Sequence, residues 1–478
     1  MIKTRFAPSP TGFMHVGNLR TALYEYLIAR AGGGKFILRI EDTDQERFVD
    51  GAIDLIYKTL SEVGLEYDEG PDIGGEFGPY IQTQRRDIYK KYADLLVEKG
   101  GAYYCFCTKE RLEKLKTEDG SFEYDRHCRN LTKEEVEANL SAGMPYVIRQ
   151  KMPLTGQTTF EDAVFGSVTV NNEELQDIIL IKSDGLPTYN FAHVVDDYLM
   201  QITHVVRGSE YIASAPKHAL LYDAFGWKRP VYVHLAPVMG QNEDGSFSKL
   251  SKRHGAVSFK DLTDEGYLAE AIVNYIAFLG WKPKSTNEEF FTLDELKKLF
   301  KIEEINKSPS VFDYEKLKWY NKAYISKLTA EEFAIRAQKF LPAEIIDKQN
   351  KILPLLQPRL EKLSDIATQS AIFYKKPVFD ENLFTNKKNK TSIELAKELL
   401  PEVRDVIAAV EPFDSQTLFE KLSKFAEEKS LKVGAIMWIV RIALTFTVAT
   451  AGGATEIMDI LGQAETLERL DDAIKKLN

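Results

Sequence analysis

No apolar run in this sequence reaches the roughly 20 residues that a membrane-spanning helix needs, and its first residues lack the charged-then-apolar pattern of a secretory leader. A membrane protein is therefore not expected, and a cytoplasmic location is the default. Positive charge is not in surplus either. The formal net charge is −10, which excludes a generic polyanion binder; a nucleic-acid partner would have to meet local basic surface, so the acidic total neither supports nor excludes one. Cysteine is scarce, and Cys105, Cys107 and Cys128 all lie in one segment. In a cytoplasmic chain such clustering points to a metal more than to disulfides. No repeat of about 20–50 residues is present, which excludes a solenoid. What remains is a 478-residue chain, 44% hydrophobic and 28% charged, long enough for three or four domains with several cores.

The N-terminal stretch carries the strongest local signal. Ile2 to Ala7 reads as a short buried strand ended by Pro8 and Pro10, and Gly12 and Gly17 open a loop that lets backbone approach a ligand. From Asn18 the pattern turns helical, with Leu19, Ala22, Leu23, Tyr26 and Leu27 on one face, until Gly32, Gly33 and Gly34 stop it. Phe36 to Ile40 is a second strand, running into Glu41-Asp42-Thr43-Asp44. Free N–H groups and the dipole at the start of that helix favour an anion, typically phosphate. Two common phosphate signatures are missing. There is no G-x-G-x-x-G, which argues against a dinucleotide site, and no G-x-x-x-x-G-K-[ST], which argues against a P-loop. The loop offers His15 and Gly17 instead: an imidazole able to donate to a phosphate oxygen, and room for a flat base.

His15-Val16-Gly17-Asn18 resembles the first signature of class I aminoacyl-tRNA synthetases. The longer set, Ala7-Pro-Ser-Pro-Thr-Gly12, Arg20-Thr-Ala-Leu23 and Arg39-Ile-Glu-Asp-Thr-Asp44, resembles the glutamyl branch of that class. Lys249-Leu-Ser-Lys-Arg253, in a loop bounded by Gly240, Gly245 and Gly255, is similar to the second class I signature in its glutamyl form. Charge builds on pyrophosphate as a carboxylate attacks the α-phosphorus of ATP, and lysines on a mobile loop can stabilise that charge most in the transition state. By this resemblance Lys252 serves the phosphates with Lys249 in support. Pro8, Gly12, His15 and Gly17 complete the ATP site, and Mg²⁺ bridges the ATP phosphates. No protein nucleophile is required, because the substrate's own carboxylate attacks.

Glutamate needs cations for its carboxylates and an anion for its ammonium; an arginine can bind a carboxylate through two parallel hydrogen bonds, which a lysine cannot. By motif position the resemblance implies Arg5 and Arg207 for the carboxylates, Glu41 for the ammonium, and Ser9 and Tyr189 for hydroxyl contacts. His193 stands where the family often has Asn.

Cysteines at C-x-C spacing suit tetrahedral Zn²⁺. Some family members follow C-x-C with C-x-H, but here Asn130 stands two after Cys128; another arrangement, C-x-C then Y-x-x-x-C, fits Cys105, Cys107, Tyr124 and Cys128. His127 competes with Tyr124 as the fourth ligand. Zinc here would be structural and remote from the chemistry.

The expected architecture is an α/β Rossmann-like catalytic domain of class I type, with an α+β insertion, followed by an all-helical C-terminal half. The catalytic domain is split over 1–80 and 186–245, with an acceptor-end insertion at 81–185 that carries short strands near Tyr146–Arg149 and Ser167–Val170. A stem-contact region at 246–328 follows, and an anticodon-binding region at 329–478 reads as helices broken at Pro354, Pro401 and Gly452-Gly453. A helical end disfavours the glutaminyl enzyme, whose corresponding end is a β-barrel. Arg359 resembles a position that discriminating glutamyl enzymes use to read the last anticodon base, and Phe446 replaces the usual Gly of a family motif. The resemblance implies a monomeric glutamate–tRNA ligase acting on L-glutamate, ATP and tRNA(Glu). The alternatives are an enzyme that also charges tRNA(Gln), a glutamyl-queuosine tRNA(Asp) synthetase, a small-molecule adenylyltransferase and a non-catalytic tRNA-binding protein.

Overall fold

The computed structural model describes residues 1–116, 123–255, 257–376 and 378–478. It divides into two compact units, Met1–Thr263 with Ala269–Tyr314, and Asp264–Leu268 with Glu315–Asn478.

The first unit is built on a parallel strand pair, Lys3–Phe6 and Lys35–Leu38, joined through the helix Val16–Ala31. The turn between helix and second strand has to be glycine. A Cβ on Gly34 would lie 1.9 Å from the Ile2 carbonyl oxygen. His204–Gly208 and Val231–Leu235 form a second parallel pair. The Thr203 N–H donates to the Lys3 carbonyl at 2.9 Å, which sets this pair alongside Lys3–Phe6. The strands run the same way, and their C-terminal ends feed loops gathered on one side, where ligands bind in open α/β sheets.

Helix Val16–Ala31 starts two residues earlier than its apolar pattern predicts. His15 is the cap: its Nδ1 accepts the Gly17 N–H at 3.1 Å. Histidine is outside the usual capping set, which hides this boundary from a sequence reading. Strand Gln157–Asp162 was not anticipated at all. It hairpins with Gly166–Asn171 and pairs in parallel with Val231–Leu235 through Asp162 and Tyr232. Its inward residues are Thr158, Phe160 and Asp162, so two of the three buried positions are polar and the hydrophobic alternation is masked. The hairpin thus extends the sheet from within the stretch read as an insertion. A further antiparallel sheet, Ala102–Cys105, Val147–Gln150 and Ile179–Ile181, lies beside the cysteine cluster.

Among its described residues the second unit is built of helices, with one isolated β-bridge between Asn386 and Thr391. Ile393–Ala408, Ser415–Glu428, Val433–Thr445, Ala454–Leu461 and Gln463–Leu477 bury one face each. Gly453 caps Ala454–Leu461, so the break expected there is present. The breaks expected at Pro354 and Pro401 are not; both prolines lie inside helices. Pro401 is exposed while Leu399, Leu400, Val403 and Ile407 are buried. The carbonyl that proline leaves unbonded therefore lies on the wet side, and burial of the opposite face holds the helix together. Among the described residues no helix is long and apolar enough to cross a membrane.

Candidate active site

A cavity of about 800 Å³ opens at the C-terminal strand ends of the first unit. Arg5, Pro8, Ser9, His15, Gly17, Glu41, Tyr189, Arg207 and Lys249 all line it, although they come from five separate stretches of chain. Gly12, Lys252 and His193 are not in its wall. Gly12 sits one residue beyond the lining Thr11 with φ +125°, a backbone geometry that only glycine adopts easily. Lys252 begins the turn Lys252–His254 and is exposed, and His193 lies behind Tyr189, their rings stacked 4.6 Å apart.

The two signature loops are joined. The Val16 N–H donates to the Val257 carbonyl at 2.8 Å and the Phe259 N–H to the Met14 carbonyl at 3.0 Å. His15 uses its Nδ1 as an acceptor, so its proton sits on Nε2; that nitrogen is buried and has no hydrogen-bond partner among the described residues. Burial, and then the nearby Lys249, lower the His15 pKa, while the Leu250 carbonyl opposes them. A neutral imidazole donor thus stands at the start of a helix, where an anion is favoured. Lys249 meanwhile reaches across to Glu210, Nζ donating to Oε1 at 2.8 Å.

The other end of the cavity rests on buried charge. Arg5 donates from Nε to Asp197 Oδ1 at 2.9 Å and from Nη1 to Glu25 Oε1 at 3.2 Å; neither bond uses Nη2. Arg39 donates to the same Asp197 oxygen and to Glu41 Oε1, each at 2.8 Å. Burial alone would raise the Asp197 pKa, but Arg5 and Arg39 outweigh it and hold the carboxyl well below its usual range. Glu25 and Glu41 go the other way: burial raises both despite the same arginines. Among the described residues Arg207 pairs with no carboxylate. Its Nε donates to His234 Nε2 at 3.1 Å, and its Nη2 and Nη1 face His218 Nδ1 at 3.2 Å and His193 Nε2 at 3.5 Å. Burial, followed by Arg207, lowers His193 to about 3, and burial also lowers His218 and His234.

A sequence reading misses Glu25, Asp197, His218 and His234, whose partners are distant in the chain. It also misses Lys182 and Asp184, which line the cavity beside a segment legible only as a turn. A charged pair flanking a glycine turn after a buried strand was the available signal.

Away from the cavity, the sulfurs of Cys105, Cys107 and Cys128 lie within 4.8 Å of one another. Cys107 Sγ is 3.6 Å from Cys128 Sγ, and Tyr124 Oη is 3.2 Å from Cys105 Sγ and 3.7 Å from Cys107 Sγ. Sulfurs about 2.3 Å from a tetrahedral Zn²⁺ would lie about 3.8 Å apart, close to the Cys107–Cys128 separation, so the cysteine triad is compatible with a zinc site. The Tyr124 hydroxyl stands among the sulfurs, whereas His127 donates its backbone N–H to Asp125 Oδ1 at 3.2 Å. The Arg149 guanidinium lies 3.9 Å over the Tyr124 ring and its Nε donates to Cys105 Sγ at 3.4 Å, a cation suited to a thiolate-rich centre.

In the second unit Arg359 lines a cavity of about 500 Å³ with Lys375, Thr445 and Thr450. Phe446 adopts the left-handed conformation, with φ +42°.

A neutral histidine donor at a helix start, a lysine loop tethered to it and a strand-end cavity together define the catalytic unit of a class I aminoacyl-tRNA synthetase. Residues 1–319 match the family "tRNA synthetases class I (E and Q), catalytic domain", and residues 315–474 match "Anticodon binding domain". The chain is 53% identical over 483 residues to a glutamate–tRNA ligase of Clostridium novyi (strain NT), covering 100% of this chain and 98% of the relative. It is 52% identical over 484 residues to that of Clostridium acetobutylicum, covering 100% and 99%. Among solved structures, a glutamate tRNA ligase from Elizabethkingia meningosepticum in complex with its amino acid superposes with TM-score 0.90 at 35% identity, over 100% of both chains. The synthetase from Elizabethkingia anophelis gives 0.89 at 35%, over 99% of both. The chain belongs to the glutamate–tRNA ligase family and is an aminoacyl-tRNA ligase.

Proposed function

We propose that the enzyme condenses L-glutamate with ATP to glutamyl-adenylate and passes the glutamyl group to the 3′-terminal ribose of tRNA(Glu), as a cytoplasmic monomer. In the first step a glutamate carboxylate oxygen attacks the α-phosphorus; the new O–P bond forms as the bond to pyrophosphate breaks. The terminal ribose hydroxyl then attacks the activated carbonyl, its proton is lost, and AMP leaves. Neither step asks the protein for a nucleophile, so positioning and charge carry the rate.

The observation that carries this reading is the sharing of one cavity by His15 and two buried arginines, Arg5 and Arg207. The arginines suit the two carboxylates of glutamate, Glu41 its ammonium, and Ser9 and Tyr189 its remaining polar contacts; the residue at 193 acts from behind Tyr189. Pro8, Gly12 and Gly17 shape the nucleotide end. His15 donates to phosphate through Nε2, and Lys252, supported by Lys249, closes on the departing pyrophosphate. Among the described residues the cysteine triad is the one cluster of three metal-ligating side chains. Mg²⁺ would come bound to ATP and supply charge neutralisation at its phosphates. Cys105, Cys107, Cys128 and Tyr124 would hold a Zn²⁺, which would serve the fold and not the chemistry. Exhaustive chelation should empty that site, one ion per chain, and lower the melting temperature; retention of full stability without metal would remove zinc from the account.

Arg359 is proposed to read the anticodon of tRNA(Glu). The deciding experiment is charging with radiolabelled glutamate on purified tRNA(Glu) and tRNA(Gln) separately. Charging of tRNA(Glu) alone is expected. Charging of both would make the enzyme non-discriminating, and charging of neither, with ATP–pyrophosphate exchange intact, would point to a tRNA-modifying enzyme.

A further inference from the structure

A string of hydrogen bonds runs from the unanticipated hairpin to the amino-acid end of the cavity. Asp162 closes the strand Gln157–Asp162 and is fully engaged. Its Oδ1 accepts the Val164 and Phe165 N–H groups at 2.9 and 2.8 Å. Its Oδ2 accepts the backbone N–H of His234 at 3.1 Å and faces His234 Nδ1 at 2.6 Å. The side chains of Asp162 and His234 are 0% exposed. A guanidinium has only donors, so the bond from Arg207 Nε requires His234 Nε2 to be an acceptor. The His234 proton therefore sits on Nδ1, held there by Asp162.

The same logic applies around the rest of Arg207. His218 accepts through Nδ1 and donates from Nε2 to Asn190 Oδ1 at 2.9 Å. His193 turns Nε2 toward Arg207 and donates from Nδ1 to the Tyr189 carbonyl at 2.7 Å. Each guanidinium nitrogen thus meets one neutral imidazole, and among the described residues Arg207 has no carboxylate within ion-pair distance. Arg5, by contrast, pairs directly with Asp197 and Glu25. An arginine held by neutral acceptors is oriented without being neutralised, which leaves its charge for a substrate carboxylate.

We infer that Asp162 is a positioning residue for amino-acid recognition, acting through the His234 tautomer to orient Arg207. The inference rests on the reading of Arg207 as a glutamate-carboxylate partner. The hairpin is then part of the amino-acid site, although no residue of it lines the cavity.

Steady-state ATP–pyrophosphate exchange, run with tRNA(Glu) present, tests this with four proteins beside the wild type. Asp162→Asn sets an amide against groups that each need an acceptor, and should raise KM for glutamate about 10- to 100-fold, the usual cost of a lost charge-assisted hydrogen bond, with KM for ATP unchanged. His234→Gln supplies an acceptor to Arg207 that needs no tautomer. In that background Asp162→Asn should have little further effect, a non-additivity that simple damage to the hairpin would not produce. Arg207→Gln is the control and should raise KM for glutamate at least as much. An unchanged glutamate KM in Arg207→Gln would overturn both the reading and the inference. A large effect there, with Asp162→Asn silent, equal on both substrates, or undiminished in the His234→Gln background, would overturn the inference alone.

Discussion

At the end of the cavity proposed to take the amino acid, Arg5 and Arg207 are 3% and 5% exposed, and each is bonded on at least two sides. At the end proposed to take the nucleotide, the Lys249 side chain is 69% exposed, and it pairs with a half-exposed Glu210. The first end is fixed before substrate arrives. The second is a loop whose lysines are free to change partner when phosphate charge appears. Selection of one amino acid among many needs groups that cannot relax around the wrong one, and buried, mutually bonded side chains provide that. Stabilising a charge that exists only in the transition state needs contacts that tighten late, and an exposed loop provides those.

Substitutions at the two ends should therefore fail differently. Arg5→Gln is expected to have the largest effect, on folding as well as activity. It leaves Glu25 and part of Asp197 buried without their cation. Breaking a buried pair typically costs about 3–5 kcal/mol, and the remaining Arg39 contact to Asp197 should keep the loss near about 3 kcal/mol. Urea unfolding of the variant would measure it; a midpoint equal to that of the wild type would mean the network is not coupled to the fold. Lys252→Ala should do the reverse. The side chain is exposed, so stability should stay within about 0.5 kcal/mol. Adenylate formation should slow about 100- to 1,000-fold, the usual loss when one such charge-stabilising contact is removed. Single-turnover ATP–pyrophosphate kinetics decide it. An unchanged rate would take Lys252 out of the mechanism and leave Lys249 as the principal lysine.

The histidines around Arg207 give the rigid end a pH signature. His193 is neutral in the folded chain, its pKa pushed from 6.5 down to about 3 by burial and then by Arg207, with Arg5 adding to the effect and Asp197 opposing it. His218 packs edge-on against it, 4.3 Å between ring centroids, and Tyr189 stacks on its other side. Because the folded pKa is depressed, the unfolded chain takes up this proton first as pH falls. The contribution of His193 to stability is thus complete above pH 6.5 and is lost progressively between 6.5 and about 3. Between about pH 7 and pH 5 that amounts to ~2 kcal/mol from this group. His193→Gln should remove it, so the variant's unfolding free energy should fall less steeply with acid than the wild type's. Parallel pH profiles for the two proteins would show that His193 does not stay neutral in the fold.

The same contrast explains what could be read without coordinates. Arg5, His15, Glu41, Arg207 and Lys249 sit in short motifs whose residue types follow from the ligand's charge, and the fold brings them to one cavity. The α/β unit and the helical second half were legible because apolar periodicity marks their elements; the class I assignment came from the resemblance of the two signature motifs. The supporting residues were not. Asp197 is 192 positions from Arg5 and Asp162 is 72 from His234, and nothing local distinguishes such a residue from any other buried acid. Strand Gln157–Asp162 was hidden because its inward face carries Thr158 and Asp162, the second of which serves the site rather than the core. Pro401 misled because a helix-breaking residue was weighed without knowing which face it occupied.

The smallest effect expected lies in the helical unit. Phe446 ends helix Val433–Thr445 with φ +42° and ψ +41°, its N–H donating to the Ile442 carbonyl at 2.8 Å. That is a glycine conformation, and a residue with a Cβ is strained in it. The ring offsets the strain by packing against Phe379 and Phe384, at centroid distances of 5.0 and 5.9 Å. Two substitutions separate these terms. Phe446→Ala and Phe446→Gly both remove the ring, but only alanine keeps the strain. Alanine should therefore be the less stable of the two by about 1 kcal/mol, or roughly 2–4 °C in melting temperature for a unit of this size. If the two variants melt together, the loop has moved out of the left-handed region once the ring is gone. The phenylalanine would then be the cause of that backbone geometry and not a passenger in it, and the turn would owe its shape to aromatic packing.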